Sequence, residues 1–180
     1  MTRRLVAFAV FLPFLLPVGV AAAQSAPQGP APKPCAAVAE RQRFDFWLGE
    51  WEVTDSTGKQ RVGSSLIQSV SGGCALLENW TNARGGQGKS LTSYNPALSQ
   101  WQQYWIGQDG QPTEFRESSW SGKSVVFRAR TPAAGSAAAT EQRLTFTPID
   151  SVTVRQRGEQ STDGGSTWTT QYNFLYHRKR

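Results

Sequence analysis

Two short stretches hold the residues whose types and spacing suggest chemistry. Glu78 lies in CALLENW, two residues before Trp80, and Gln103 lies between Trp101 and Trp105 in WQQYW. In an extended chain successive side chains alternate between faces. Cys74, Leu76, Glu78 and Trp80 therefore share one face of their strand, and Trp101, Gln103 and Trp105 share one face of theirs. An acid and an amide set among indoles make a ligand-pocket lining: apolar walls with a few polar groups that orient a guest. The expected lining residues are Glu78, Trp80, Trp101, Gln103 and Trp105. A buried amide needs partners, so Gln103 and Glu78 are expected within one or two side chains of each other. The same alternation also fits a solidly packed interior with Glu78 in water beside an exposed Trp80, and both readings stay open on sequence alone.

Other reactive constellations are poor. There is a single histidine, His177, and no G-x-S-x-G elbow, so no nucleophile–base set is expected. Glu50 pairs with Glu52 and Glu114 with Glu117 in sequence, but Glu50 and Glu52 fall opposite Trp51 and read as solvated strand positions. One interior acid, Glu78, does not make a glycosidase pair. The stretches Gly63-Ser64-Ser65 and Gly85-Gly86-Gln87-Gly88 do not form a phosphate loop. Two cysteines and one histidine without a CxxC do not build a zinc site. No metal, no cofactor and no catalytic residue are expected; an enzyme would have to use Glu78 as its acid or base. Ser161-Thr162-Asp163-Gly164-Gly165-Ser166-Thr167-Trp168 matches the Asp-box pattern of sialidase-type propellers. A propeller needs several copies and this chain has one, so the stretch reads as a hairpin device in which Asp163 accepts backbone N–H groups.

The elements that must position these residues are strands. Alternating runs are expected near 50–56, 60–70, 74–82, 88–95, 101–107, 112–119, 123–130, 140–147, 151–160 and 167–178. Turn chemistry separates them, as at Thr57-Gly58, Gly72-Gly73, Asp109-Gly110 and Ser121-Gly122. Ten sequential strands with tight turns predict an all-β, up-and-down antiparallel barrel, since closure removes exposed edges. A two-sheet sandwich is the alternative. Leu144 with Phe146, and Val125 with Phe127 and Ala129, share faces, as do Trp168, Thr170, Tyr172, Phe174 and Tyr176 on the last strand. Upstream, Phe44, Trp47 and Leu48 are spaced i, i+3, i+4 within RQRFDFWLGEW, which predicts a short N-terminal helix ended by Gly49.

The chain is 180 residues long and carries seven tryptophans, nine phenylalanines and four tyrosines, which argues for a packed core and against disorder. Residues 1–23 read as a signal peptide: Arg3 and Arg4, an apolar run broken by Pro13 and Pro17, then Ala21-Ala22-Ala23. Residues 24–39 read as a Pro-rich tether and 40–180 as the barrel domain. The expected location is periplasmic or secreted, where an even cysteine count favours a Cys35–Cys74 disulfide over two free thiols. Closing that loop would stabilise the fold by about 4 kcal/mol in the chain-entropy model. The net charge of +6 raises nucleic acid as a partner, but the export signal and the scattered basic residues argue against it. The tail from His177 to Arg180 is a candidate for weak contact with an anionic envelope.

FDFWLGEWEV (Phe44–Val53), GGCALLENW (Gly72–Trp80), the Trp101-x-Gln103-x-Trp105 spacing and the SxDGGxTW run occur in this order. Together they resemble an uncharacterised family of exported bacterial proteins with lipocalin-like, calycin-type barrels, distantly similar to fatty-acid-binding proteins and nitrobindins. The resemblance spans residues 40–178 and implies an up-and-down barrel without naming an activity. A nitrobindin-like haem site would need a GxWxGxG signature, of which only the start is present, and a proximal histidine; His177 alternates with Tyr176 and falls opposite the aromatic face, as a solvated residue at a frayed strand end. Fatty-acid carriers clamp a carboxylate with buried arginine and tyrosine; Arg116, Arg128 and Arg155 are the strand arginines available. The functional expectation is an exported barrel binding a small apolar or amphipathic molecule. A structural or interaction protein of the envelope with a filled barrel is the alternative, and an enzyme using Glu78 is the third reading.

Overall fold

A computed structural model describes residues 34–35, 37–133 and 138–180. The signal-peptide assignment, most of the tether and part of the 131–139 loop lie outside the described residues. The chain enters through a single helical turn, α1 (Ala39–Gln42), and a 3-10 turn at Asp45–Trp47. Ten strands follow: β1 (Gly49–Asp55), β2 (Arg61–Val70), β3 (Ala75–Asn82), β4 (Gln87–Asn95), β5 (Gln100–Ile106), β6 (Pro112–Ser121), β7 (Ser124–Thr131), β8 (Thr140–Pro148), β9 (Thr153–Ser161) and β10 (Thr169–Arg178). Each pairs antiparallel with its sequence neighbours, and β1 pairs with β10 to close the barrel. The closed sheet excludes the sandwich alternative.

Alternation sets the faces as expected along most strands. Val125, Phe127 and Ala129 on β7 and Leu144 and Phe146 on β8 are buried inside, whereas Tyr104 and Ile106, which alternate with Gln103 and Trp105 on β5, are exposed. The last strand departs from simple alternation. A β-bulge between Thr170 and Tyr172 inserts one residue into β10, and a one-residue insertion inverts the face of everything before it. Tyr172, Phe174 and Tyr176 point inward, whereas Trp168 and Thr170 lie outside. Trp168 packs there against the guanidinium groups of Arg143, 4.3 Å from the ring centre, and Arg128, at 5.0 Å. Thr170 accepts a hydrogen bond from Arg157.

The N-terminal segment is shorter in its helix than its spacing suggests, and it forms a plug. Phe44 and Trp47 are fully buried in the bore. Gly49 does not cap a helix; it starts β1 at φ +123°, and a Cβ there would sit 2.3 Å from a guanidinium nitrogen of Arg178. Arg178 uses that space to donate to the backbone carbonyls of Leu48, at 2.5 Å, and Phe46, at 3.2 Å. Its guanidinium also covers the Trp51 ring at 4.3 Å. The C-terminal strand end is therefore clasped to the plug rather than frayed. His177 points outward, as alternation requires, but it is half-buried and its Nε2 lies 3.2 Å from Thr54 Oγ1. Cys35 is bonded to Cys74, which ties the segment entering the plug to the β2–β3 connection, and Arg41 donates to the Cys74 carbonyl. The disulfide thus holds Cys35, within the stretch the sequence assigns to the tether, against the barrel.

Candidate functional site

The bore changes character along its length, and the strand register shows how. On β3, Leu76 belongs to the sealed core beside the plug, Glu78 follows, and Trp80 and Asn82 reach the opposite end. On β5 the sequence is Trp101, Gln103, Trp105; on β9 it is Val154, Gln156, Gly158. Apolar, polar and open layers succeed one another on each strand.

The sealed layer is filled by rings. Phe44 lies 5.2 Å from Phe146, 5.3 Å from Trp101 and 5.9 Å from Phe127, centre to centre. The open layer surrounds a cavity of about 420 Å³, within the range of about 300–1,000 Å³ typical of small-molecule sites. Trp80, Trp105, Tyr172 and Phe174 form its walls, and Asn82, Thr113 and Gln142 stand toward the hairpin end. Three glycines make the space. A Cβ on Gly63 would approach the Trp80 ring to 2.6 Å, one on Gly88 the Trp105 ring to 2.4 Å, and one on Gly158 the Tyr172 ring to 2.3 Å. Each ring therefore lies against the wall, in the place of the missing side chain, instead of crossing the bore. Glycine inside a strand marks such close approach.

The polar layer separates the two. Glu78 is 2% exposed. Ser65 donates to its Oε1 at 2.9 Å and Ser90 to its Oε2 at 3.0 Å. The Tyr176 hydroxyl donates to Gln156 Oε1 at 2.8 Å and lies 3.5 Å from Glu78 Oε1. Gln103 donates to Thr92 at 3.0 Å and more loosely to Ser90 at 3.4 Å. Burial raises the Glu78 carboxyl from the ordinary glutamate range to about 7; the hydroxyl donors oppose that shift and are outweighed. The Tyr172 and Tyr176 phenols are pushed upward by burial and by the nearby Glu78 charge, so both stay protonated.

The sequence-expected residues divide. Glu78 and Gln103 both face inward and are joined through one side chain, Ser90. Trp80 and Trp105 line the cavity. Trp101 does not: its ring packs on Phe44 and on Tyr94 at 5.9 Å, in the sealed layer, because it lies one inward position closer to the plug than Gln103. Arg116, Arg128 and Arg155 are all outside, and no arginine or lysine is among the described cavity-lining residues. The carboxylate clamp of a fatty-acid carrier is therefore not reproduced. Sequence reasoning missed Ser65, Ser90, Thr92 and Gln156, which are ordinary strand residues until register pairs them, and it set aside Gly63 and Gly88 as a failed phosphate loop. A glycine at an inward strand position, next to a strand carrying an inward aromatic, is the pattern that would have found them.

The Asp163 turn is a hairpin device. Asp163 accepts from the Thr167 backbone and hydroxyl at 2.9 and 2.6 Å and from the Ser161 hydroxyl at 2.6 Å. Trp168 Nε1 donates to the Gly165 carbonyl at 2.9 Å. These bonds hold the Asp163 carboxyl well below the usual range. Among the described residues no cluster of His, Cys, Asp and Glu is arranged to hold a metal ion, and no helix is long and apolar enough to cross a membrane.

Fold and site together define a class: an up-and-down β-barrel plugged at one end, hollow at the other, with a buried carboxyl between. No protein-family model matches the chain, and no curated protein matches it.

Proposed function

We propose that this protein is an exported carrier that binds a small apolar or amphipathic molecule in the open half of its barrel. The observation that carries the reading is the cavity itself, about 420 Å³ with aromatic walls and a polar base of Glu78, Gln103 and Gln156. Apolar walls supply affinity and a few fixed polar groups supply orientation. The Cys35–Cys74 disulfide fits an oxidising compartment and supports export alongside the signal-like N-terminus.

Native mass spectrometry of protein purified from its own host tests the reading. A co-purifying small molecule, released on denaturation, is the expected result. A clean mass of the chain alone, together with no enhancement of an environment-sensitive apolar dye, would overturn it.

A further inference from the structure

The cavity is chemically one-sided. Its described lining holds one carboxyl, Glu78, and two phenols, Tyr172 and Tyr176, but no lysine, arginine or histidine. The chain as a whole carries 19 Lys and Arg against 13 Asp and Glu. Cationic side chains lie on the outer wall, where Arg116, Arg128 and Arg143 are direct cross-strand neighbours. On the outer wall arginines and acids pair, as Arg143 does with Glu159 and Arg116 with Glu114, whereas the described cavity lining holds an acid with no basic group beside it.

Among the described residues, the groups packed around Glu78 are neutral. Ser65 comes from β2, Ser90 from β4, Gln103 from β5, Gln156 from β9 and Tyr176 from β10, and among these only the phenol titrates. Neutral donors satisfy oxygen lone pairs but do not compensate a charge, and a buried carboxylate without a cation is costly. A guest bearing positive charge would remove that cost on entry. The walls suit the apolar body of such a guest, because Trp80, Trp105 and Tyr172 all front this cavity. A guest carboxylate would meet Glu78 as a like charge with no cavity-lining arginine to offset it.

We infer that the open half of the barrel takes an organic cation, an ammonium head seated against Glu78 with its apolar body between Trp80, Trp105 and Tyr172. This rests on the carrier reading and names the class of guest.

The test uses the mature exported chain and three probes with the same octyl tail: octyltrimethylammonium, octanol and octanoate. Binding is followed by tryptophan fluorescence and calorimetry at about pH 8, where an acid of pKa near 7 is ionised. The ammonium probe, which has no N–H to donate, is expected to bind about tenfold or more tightly than octanol through attraction between its fixed charge and the Glu78 carboxylate, with octanoate weakest. Glu78→Gln is expected to erase the ammonium-over-octanol ratio. The wild-type chain at about pH 5.5 supplies the same test without mutation, because the trimethylammonium charge is fixed and Glu78 is the group of the described cavity lining that takes up a proton. If octanol and octanoate bind as tightly as the ammonium probe, or if the ratio persists at the lower pH, the cation inference is overturned while the carrier reading stands. If none of the three binds, the carrier reading fails and the inference with it.

Discussion

At the plugged end of the barrel, Phe44, Trp47, Phe127 and Phe146 meet edge to face, with interplanar angles of 77–83° for the Phe44–Phe146, Phe44–Trp47 and Phe127–Phe146 pairs. At the hairpin end the rings run nearly parallel: Trp80 stacks on Phe174 at 13° and Tyr172 on Phe174 at 23°. The residue class is the same at both ends. What differs is the neighbour. Where a plug residue enters the bore, rings interlock and close it; where a glycine leaves the wall bare, a ring settles onto the wall and the middle stays open. Whether an inward aromatic fills a barrel or lines a cavity is decided on the adjacent strand.

The largest test of this contrast is paired truncation. Trp47→Ala should cost about 3–5 kcal/mol of stability, the range for deleting a fully buried ring. Trp105→Ala, at a half-buried wall position, should cost under about 1.5 kcal/mol while weakening guest binding. Urea denaturation of the two variants decides it, and equal losses would break the distinction between a filled and a lined half.

The polar layer offers a second test through pH. The folded Glu78 carboxyl binds its proton more tightly than the unfolded one, so its contribution to stability is fully present below the ordinary glutamate range and is lost as pH rises through about 7. The loss should total about 3 kcal/mol between those limits. Glu78→Gln should flatten this part of the stability–pH curve. A wild-type curve rising from about pH 5 to pH 8 would contradict the burial of an uncompensated acid.

The smallest effect should come from the wall. A methyl group at Gly158 would displace the Tyr172 ring toward the bore, so Gly158→Ala should cost about 1–2 kcal/mol as local overpacking. Probe affinity should fall further, by about tenfold, since the ring now occupies guest volume. Unchanged affinity alongside that stability loss would show that the ring was not holding the space open.

Much of this arrangement is legible in the residues themselves. Period-two alternation and turn chemistry give ten strands within a residue or two of their ends. The Trp101-x-Gln103-x-Trp105 spacing assigns an inward face that the fold reproduces. Position along the bore is another matter. Trp101 and Trp105 share a face and a residue type, yet one meets the plug and the other the cavity, because depth depends on pairing register and on where the N-terminal segment docks. Trp168 escaped for a local reason, since one inserted residue at the β10 bulge reverses parity and leaves no mark in composition. The clasp of Arg178 on the Phe46 and Leu48 carbonyls joins residues about 130 apart in the chain, and only barrel closure brings them together.

The plug turns the barrel into a cup rather than a tunnel. Phe44 and Trp47 block passage behind Glu78, and the disulfide and Arg178 hold that stopper in place. On the carrier reading, a guest would have to arrive and depart by the same rim, head first on the way in and tail first on the way out. Its head would be inspected at full depth, while the end of its tail would lie near Asn82, Thr113 and Gln142. Such a vessel would be strict about one end of a molecule and lenient about the other. Along a homologous series of alkyl tails, affinity should climb by about 0.8 kcal/mol per methylene until the chain reaches the rim, and then stay level however long the tail becomes.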